Sequence, residues 1–492
     1  MSASILLPLM LAVPLVGAVI TWFMPSPRAG HVVTVSSHTV VLALALGLLA
    51  MLLGGTPLTA LGNWLYLDDL GGIVLLIVAV VGLTSAVYSV GYLRHELHEA
   101  AVRPGEVRRY YALLHMFVFT MLASAVAGNL GILWTAIAAT TIASAPLVDF
   151  YGSRDPLEAA WKYIVLTTAG SMVALFGFLL LYQAGVHVLG RSYDFTFAVM
   201  AGVAGQLPAS AAISAFLLVL VGFGAKAGLA PMHTWLPDAH SQAPSPICAL
   251  LSGVELNCAM LGIFRVYSLT FPAAGVGHLR LALLIFGILS VLVAVTFLIT
   301  QRDFKRLLAY SSIEHMGLVA VGLGVGVPLA VFGSLLQMIN HALAKSLMFF
   351  ATGNLLLRFR TREIGSVGGL ARDMPATAAI VLAGGLAIAG APPFNLFISE
   401  FSIIGGAATS HQWVPALVVA ALLVVGFLAI LAPFNRMVFS VPKAGNGIAA
   451  AEINFVALLP AYVTLALVLL LGFWIPGPLH DLLQGAAKVL LP

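Results

Sequence analysis

Gly222-Phe-Gly-Ala-Lys-Ala-Gly-Leu-Ala-Pro231 sets an ammonium, Lys226, inside a stretch that otherwise reads as a membrane-spanning helix. Asn340-His-Ala-Leu-Ala-Lys-Ser346 repeats the arrangement at Lys345. An ammonium in the bilayer core costs about 2.5–3.5 kcal/mol on insertion scales. A single such lysine is accounted for by one carboxylate that ties two helices together. Two of them, with intramembrane acids as well, point to a chain that moves ions.

The composition around these stretches agrees. Of 492 residues, 61% are hydrophobic and 8% charged, against about 25% charged in soluble chains. Apolar runs of about 20 residues recur along the whole length, the span a bilayer demands. This predicts an all-α polytopic membrane protein with almost no extramembrane mass; the alternating ten-residue segments of a β-barrel are missing. The first run, from Ser4, leads straight into further spans and reads as a first helix rather than a cleaved signal peptide. Cys248 and Cys258, ten apart in one apolar segment, form neither a disulfide framework nor a C-x-x-C site.

The apolar runs predict about fourteen transmembrane helices: 3–24, 33–53, 71–92, 110–128, 130–151, 161–184, 208–232, 243–270, 279–300, 308–325, 327–357, 375–408, 413–437 and 453–476. The 22 Lys and Arg test the count. Loops after odd-numbered spans hold sixteen, among them Arg28, Arg94, Lys305 and Lys443; the opposite side holds Arg191, Arg280 and Lys488. Lys226, Arg265 and Lys345 fall within spans. Sixteen against three puts the odd loops in the cytoplasm and both termini outside. The net charge of +4 is therefore a membrane-orientation signal, not a nucleic-acid surface.

Prolines interrupt two spans. Pro231 and Pro237 flank Met-His-Thr-Trp-Leu in the seventh, and Pro392-Pro393 lies in Ala389-Gly-Ala-Pro-Pro-Phe-Asn395 of the twelfth. Proline removes a helical hydrogen bond and frees carbonyls to meet ions or water. Paired broken helices point to a pathway at the bilayer midplane. They fall five helices apart, which predicts two inverted five-helix repeats within four segments: 1–109, 110–270, 279–437 and 438–492.

Polar residues line the same spans: His115, Lys226, His233, Glu255, Asn257, Glu314, His315, His341, Lys345 and Glu400. His341 and Lys345 are four apart and share a helix face. Alternating bases and acids linked by water make a proton wire, whereas an ion cage needs oxygen ligands. His115 alone reads as a packing residue with its hydrogen bonds met, and Arg265 as a side chain snorkelling to the surface. No phosphate loop, dinucleotide fingerprint or zinc motif is present, so driving energy has to come from a partner or an ion gradient.

Ala230-Pro-Met-His-Thr-Trp-Leu-Pro-Asp-Ala-His-Ser-Gln-Ala-Pro-Ser-Pro246 resembles the signature of the proton-translocating, antiporter-like subunits shared by respiratory complex I, Mrp antiporters and membrane-bound [NiFe]-hydrogenases. Arg302–Gly317, Asn340–Phe350 and Pro392–Phe401 are similar too. Glu158-Ala-Ala-Trp-Lys-Tyr163 and Leu256-Asn-Cys-Ala259 look most like component F of hydrogenase-4, a formate hydrogenlyase-type subunit.

The resemblance implies roles. Lys226 would be the proton-carrying lysine of the first half-channel, His341 and Lys345 part of a central axis, and Glu400 the terminal glutamate of the second. His233, Glu255 and His315 join the candidate pathway. It further implies a prokaryotic plasma-membrane location, partner membrane and peripheral subunits, and iron–sulfur and nickel–iron centres in those partners, with no cofactor in this chain.

Two positions depart from the family pattern. Ala138 stands where a glutamate of the fifth span is expected, and Asn257 where the eighth span usually has a lysine. Glu255, two residues before Asn257 and roughly 200° around an ideal helix, is expected to turn toward Lys226 from another side and replace the lost partner. The alternatives are a membrane scaffold with an impaired first half-channel, an Mrp-type cation/proton antiporter, and an M-type subunit of NADH-quinone oxidoreductase.

Overall fold

The computed structural model describes residues 2–24, 26–441 and 452–492; Lys443 lies outside them. Two long helices open the chain, α1 (Ala3–Phe23) and α2 (Pro27–Leu52), followed by a small hairpin, β1 (Leu58–Ala60) and β2 (Leu65–Leu67). The all-α expectation did not include this hairpin. Next come α3 (Asp69–His98), α4 (Pro104–Ala125), α5 (Leu130–Val148) and α6 (Arg154–Leu189), then the short α7 (Phe197–Val203). The seventh span is split into α8 (Ala209–Ala227) and α9 (Trp235–Gln242). The eighth runs through α10 (Ser245–Leu250), a π-helical turn (Leu251–Glu255) and α11 (Leu256–Ala274).

The second half holds α12 (Val276–Leu298), α13 (Phe304–Val325), α14 (Pro328–Phe359), the short α15 (Leu370–Asp373), and a split pair, α16 (Pro375–Ile388) and α17 (Asn395–Thr409). Then follow α18 (Trp413–Phe439), α19 (Phe455–Phe473) and α20 (Gly477–Leu490). The last lies beyond the final predicted span, 453–476, and folds as an amphipathic helix against α3, with Leu482, Leu483, Ala486 and Leu490 buried. Eleven helices among the described residues are long and apolar enough to cross a membrane.

Both breaks fall where the prolines put them. α8 ends at Gly228, whose left-handed backbone (φ 78°) returns its N–H to the Gly224 carbonyl. α16 gives way at Gly390, also left-handed (φ 75°), just before Pro392-Pro393. The halves next to each break are held by small residues: Gly170 of α6 meets Gly222 of α8 backbone to backbone, and Gly333 of α14 meets Ser399 and Ser402 of α17. Small residues let helices approach where no hydrophobic drive exists between them.

The bundle is apolar on its outer face, and its largely apolar interior shelters the charged and histidine side chains. The helix 245–274 and α13 are buried along their whole apolar stretch, whereas α12 and α18 expose Leu281, Ile285, Leu417, Val424 and Leu428. An exposed apolar surface of this extent needs lipid to cover it. Lys226, Glu255, His341 and Lys345 meanwhile have no accessible surface.

Candidate proton-transfer sites

Lys226 occupies the last turn of α8, two residues before the capping Gly228. Its Nζ donates to Glu255 Oε1 at 2.8 Å and to Thr141 Oγ1 at 2.5 Å. Glu255 Oε1 also accepts from Thr140 Oγ1 and from the Tyr163 hydroxyl, each at 2.7 Å. Tyr163 is held in turn by Ser144 at 2.7 Å and by the Trp235 ring of α9, 4.7 Å away. Three donors on one oxygen is an arrangement suited to a carboxylate. Glu255 Oε2 is buried and has no protein partner.

The π-helical turn explains the aim of Glu255. One extra residue in that turn changes the phase of the helix, a local distortion common at functional sites. Glu255 faces α5, α6 and α8, while Asn257 Nδ2 is spent on the carbonyls of Gly253 (2.7 Å) and Met338 (3.2 Å). Ala138 brings nothing polar. Thr140 and Thr141 take over the fifth span's contribution, and reasoning from the sequence passed over both. A Thr-Thr pair in an otherwise apolar span was the signal available.

In the second half, Lys345 Nζ donates to the Leu308 carbonyl at 2.7 Å and to Ser311 Oγ. His341 lies one turn away on α14 but makes no bond to it; neither ring nitrogen has a partner, and its ring sits 5.5 Å from His315. His315 Nδ1 is 3.0 Å from Gln337 Nε2 and 3.7 Å from Glu400 Oε1. Gln337 Oε1 accepts from Ser399, Asn340 Nδ2 donates to Ser399 Oγ at 3.1 Å, and Asn395 Nδ2 donates to Asn340 Oδ1 at 3.0 Å. The break before α17 is thereby tied to α14 by amides.

Glu400 lies against Gly390, where any Cβ would overlap its carboxyl. Glycine is thus required there both for its backbone and for its missing side chain. A cavity of about 380 Å³ opens beside Glu400 between α17 and α18, lined also by Phe397, Phe401 and Phe427. Glu314 is buried, and its carboxyl rests on Gly426 of α18.

Residues 127–427 match the family model described as NADH:quinone oxidoreductase/Mrp antiporter, transmembrane. The chain belongs to that family. A hydrogenase-4 component F homolog of Methylacidiphilum infernorum is 33% identical over 87% of this chain and 89% of its own length. Hydrogenase-4 component B of Escherichia coli is 31% identical over 75% of this chain, which spans 55% of that longer protein. Among solved structures, a chain of the membrane-bound sulfane sulfur reductase, an archaeal respiratory membrane complex, superposes with a TM-score of 0.86 at 25% identity, covering 99% of this chain and 97% of its own. A chain of the Mrp complex from a Dietzia species has the same fold, with a TM-score of 0.85 at 22% identity over 99% of this chain and 96% of its own.

Other residues of this antiporter-family chain sit differently from expectation. Arg265 does not snorkel. It is buried, forms a two-pronged ion pair with Asp68, the N-cap of α3, and lies 4.5 Å from the centre of the Phe197 ring. Beside it, burial and the Asp68 charge push the Tyr66 phenol up to about 12. Lys305, assigned to a loop, is fully buried and donates to the Ala243 carbonyl at 2.5 Å. His233 stands in the seventh-span break against Tyr310, 6.5 Å between rings, and bonds to no other candidate. His115 is not satisfied: both its nitrogens are buried without partners. Among the described residues, no group of three or more His, Cys, Asp or Glu is arranged to hold a metal.

Proposed function

We propose that this chain is a proton-translocating membrane subunit of a hydrogenase-type oxidoreductase complex. The observation that carries the reading is the buried Lys226–Glu255 pair, a mobile-proton donor and a carboxylate at 2.8 Å with no solvent access. The second half supplies a separate series, Lys345, His341, His315 and Glu400. In the working cycle Lys226 holds its proton while Glu255 faces it and releases it when the pair separates; Thr141 and Tyr163 keep the vacated positions polar.

The scaffold reading drew on Ala138 and Asn257. Glu255 in contact with Lys226 weighs against it, because the first half retains an acid–base pair by a different residue. The proposal includes fourteen crossings, two inverted five-helix units, the odd-numbered loops and their basic residues in the cytoplasm, and both termini outside. It also includes residence in a prokaryotic plasma membrane. Partner subunits hold the iron–sulfur and nickel–iron centres and supply the energy.

The test begins with the native assembly, tagged on this chain and extracted gently. Co-purification of redox subunits, with hydrogen- or formate-driven proton uptake into reconstituted vesicles that falls at least tenfold in Lys226→Ala, is the expected result. Purification with small membrane proteins alone, or sodium-dependent transport without redox partners, would overturn it in favour of a cation antiporter.

A further inference from the structure

His31 and His38 lie seven residues apart on α2, two helical turns, and so face the same way. Tyr111 and His115, four apart on α4, do the same, and the two faces meet. His31 Nδ1 is 2.6 Å from the Tyr111 hydroxyl, and the rings of His38 and His115 stand 4.9 Å centre to centre. All three histidines are more than nine-tenths buried. Glycines close the remaining sides: a Cβ on Gly17 of α1 would come within 2.6 Å of the His115 ring, and one on Gly82 of α3 within 3.4 Å of His38.

Inside this enclosure the hydrogen bonds do not balance. His38 Nδ1 meets the Thr34 carbonyl at 2.8 Å. His38 Nε2, both nitrogens of His115 and Thr34 Oγ1, one turn from His38 on the same face, have no protein partner, and neither does Ser85 Oγ, one turn from Gly82. Buried polar atoms in native proteins are satisfied by protein or by ordered water, and a polar space with several such atoms is where water is held.

A cavity opens at the His31 end and would serve as the mouth. His31 lines a cavity of about 740 Å³ together with Ser26, Pro27, Arg28, Arg94 and Leu97. No ion pair engages Arg28 or Arg94 among the described residues. Past His115 the packing turns apolar, with Val41, Ala45, Leu48 and Val118 buried. No acid faces the pair: α1 has no charged residue, Glu96 of α3 pairs with Arg360 at 2.7 Å, and Tyr110 of α4 is bonded to Ser89 at 2.8 Å.

We propose that His31, His38 and His115 line a water-filled, dead-ended pocket that binds protons from the arginine-rich face of the protein, separate from the Lys226 and Lys345 sites. His31 and Tyr111 pass protons between the mouth and the inner pair. The pocket loads and unloads from one side and gives no route across.

The test is deuterium exchange at the imidazole C2 position, read residue by residue by mass spectrometry on the full chain in its native assembly in nanodiscs. His38 and His115 are expected to exchange within about tenfold of the exposed His98, and to show a titration. No deuterium at either over several days would overturn the proposal. His31→Trp, which plugs the mouth, is expected to slow exchange at both inner histidines at least tenfold with His98 unchanged; equal rates would refute the entry route. Exchange requires no turnover, so this result and the pumping result stand or fall independently.

Discussion

Replacing Glu255 with glutamine tests the first site most directly. The amide keeps the volume and an acceptor oxygen for Thr140 and Tyr163, so those two bonds, each 2.7 Å, survive. What is lost is the negative charge 2.8 Å from Lys226 Nζ, leaving an ammonium with only neutral acceptors, the amide oxygen and Thr141 Oγ1. Breaking one member out of a buried ion pair typically costs about 3–5 kcal/mol. At about 1.4 kcal/mol per power of ten, that penalty is worth roughly two to four orders of magnitude in the equilibrium that keeps the site assembled. Proton uptake per electron by vesicles carrying the Glu255→Gln assembly should therefore drop to near background while partner redox chemistry persists in the uncoupled state. The companion Glu255→Asp keeps the charge and should retain a measurable share. Wild-type stoichiometry in Glu255→Gln, with normal assembly, would refute the reasoning. A thermal melt separates loss of coupling from loss of fold, and a second change, Lys226→Met, should restore stability without restoring pumping.

Four further outcomes are expected. Thr141→Val removes a hydrogen bond to a charged group, about 1.5–3 kcal/mol, and should cut vesicle proton uptake by roughly tenfold or more; a change under twofold would show that Thr141 is only packing. Glu400→Gln should abolish coupled uptake while Gly390→Ala, which pushes a Cβ into that carboxyl, should depress it with the glutamate still present; uptake and yield measured together decide between coupling and folding. Arg265→Ala strands Asp68 in a buried site and should lower stability by about 3–5 kcal/mol, read as a lower melting temperature, with proton-to-electron stoichiometry per folded molecule unchanged. Lys162→Ala, which removes surface pairs with Glu158 and Asp238, should leave the melting temperature essentially unchanged; a large shift would mean the rim is buried by a partner.

The membrane class, the two broken helices and two of the three lysines buried among the described residues, Lys226 and Lys345, were legible in the chain because they rest on local chemistry. Apolar length, proline and an unsheltered charge act within one helix, and each predicted span has a helix at its place. Glu400 and its glycine were within one recognisable segment for the same reason. The contacts were not legible. Glu255 reaches Lys226 because five residues form a wider turn, a geometry that no residue type in Leu251–Glu255 announces. Thr140 and Thr141 became ligands of the pair only when α5 was laid beside α8. Arg265 and Lys305 were misplaced because a charge towards a helix end reads alike whether it meets lipid headgroups or a neighbouring helix, and His115 was misread because a mid-helix ring looks the same whether or not its nitrogens find partners. Sequence thus determined which groups must be sheltered from the bilayer; the tertiary structure decided which partner shelters each, because hydrogen bonds are set over a few ångströms between helices that are far apart along the chain.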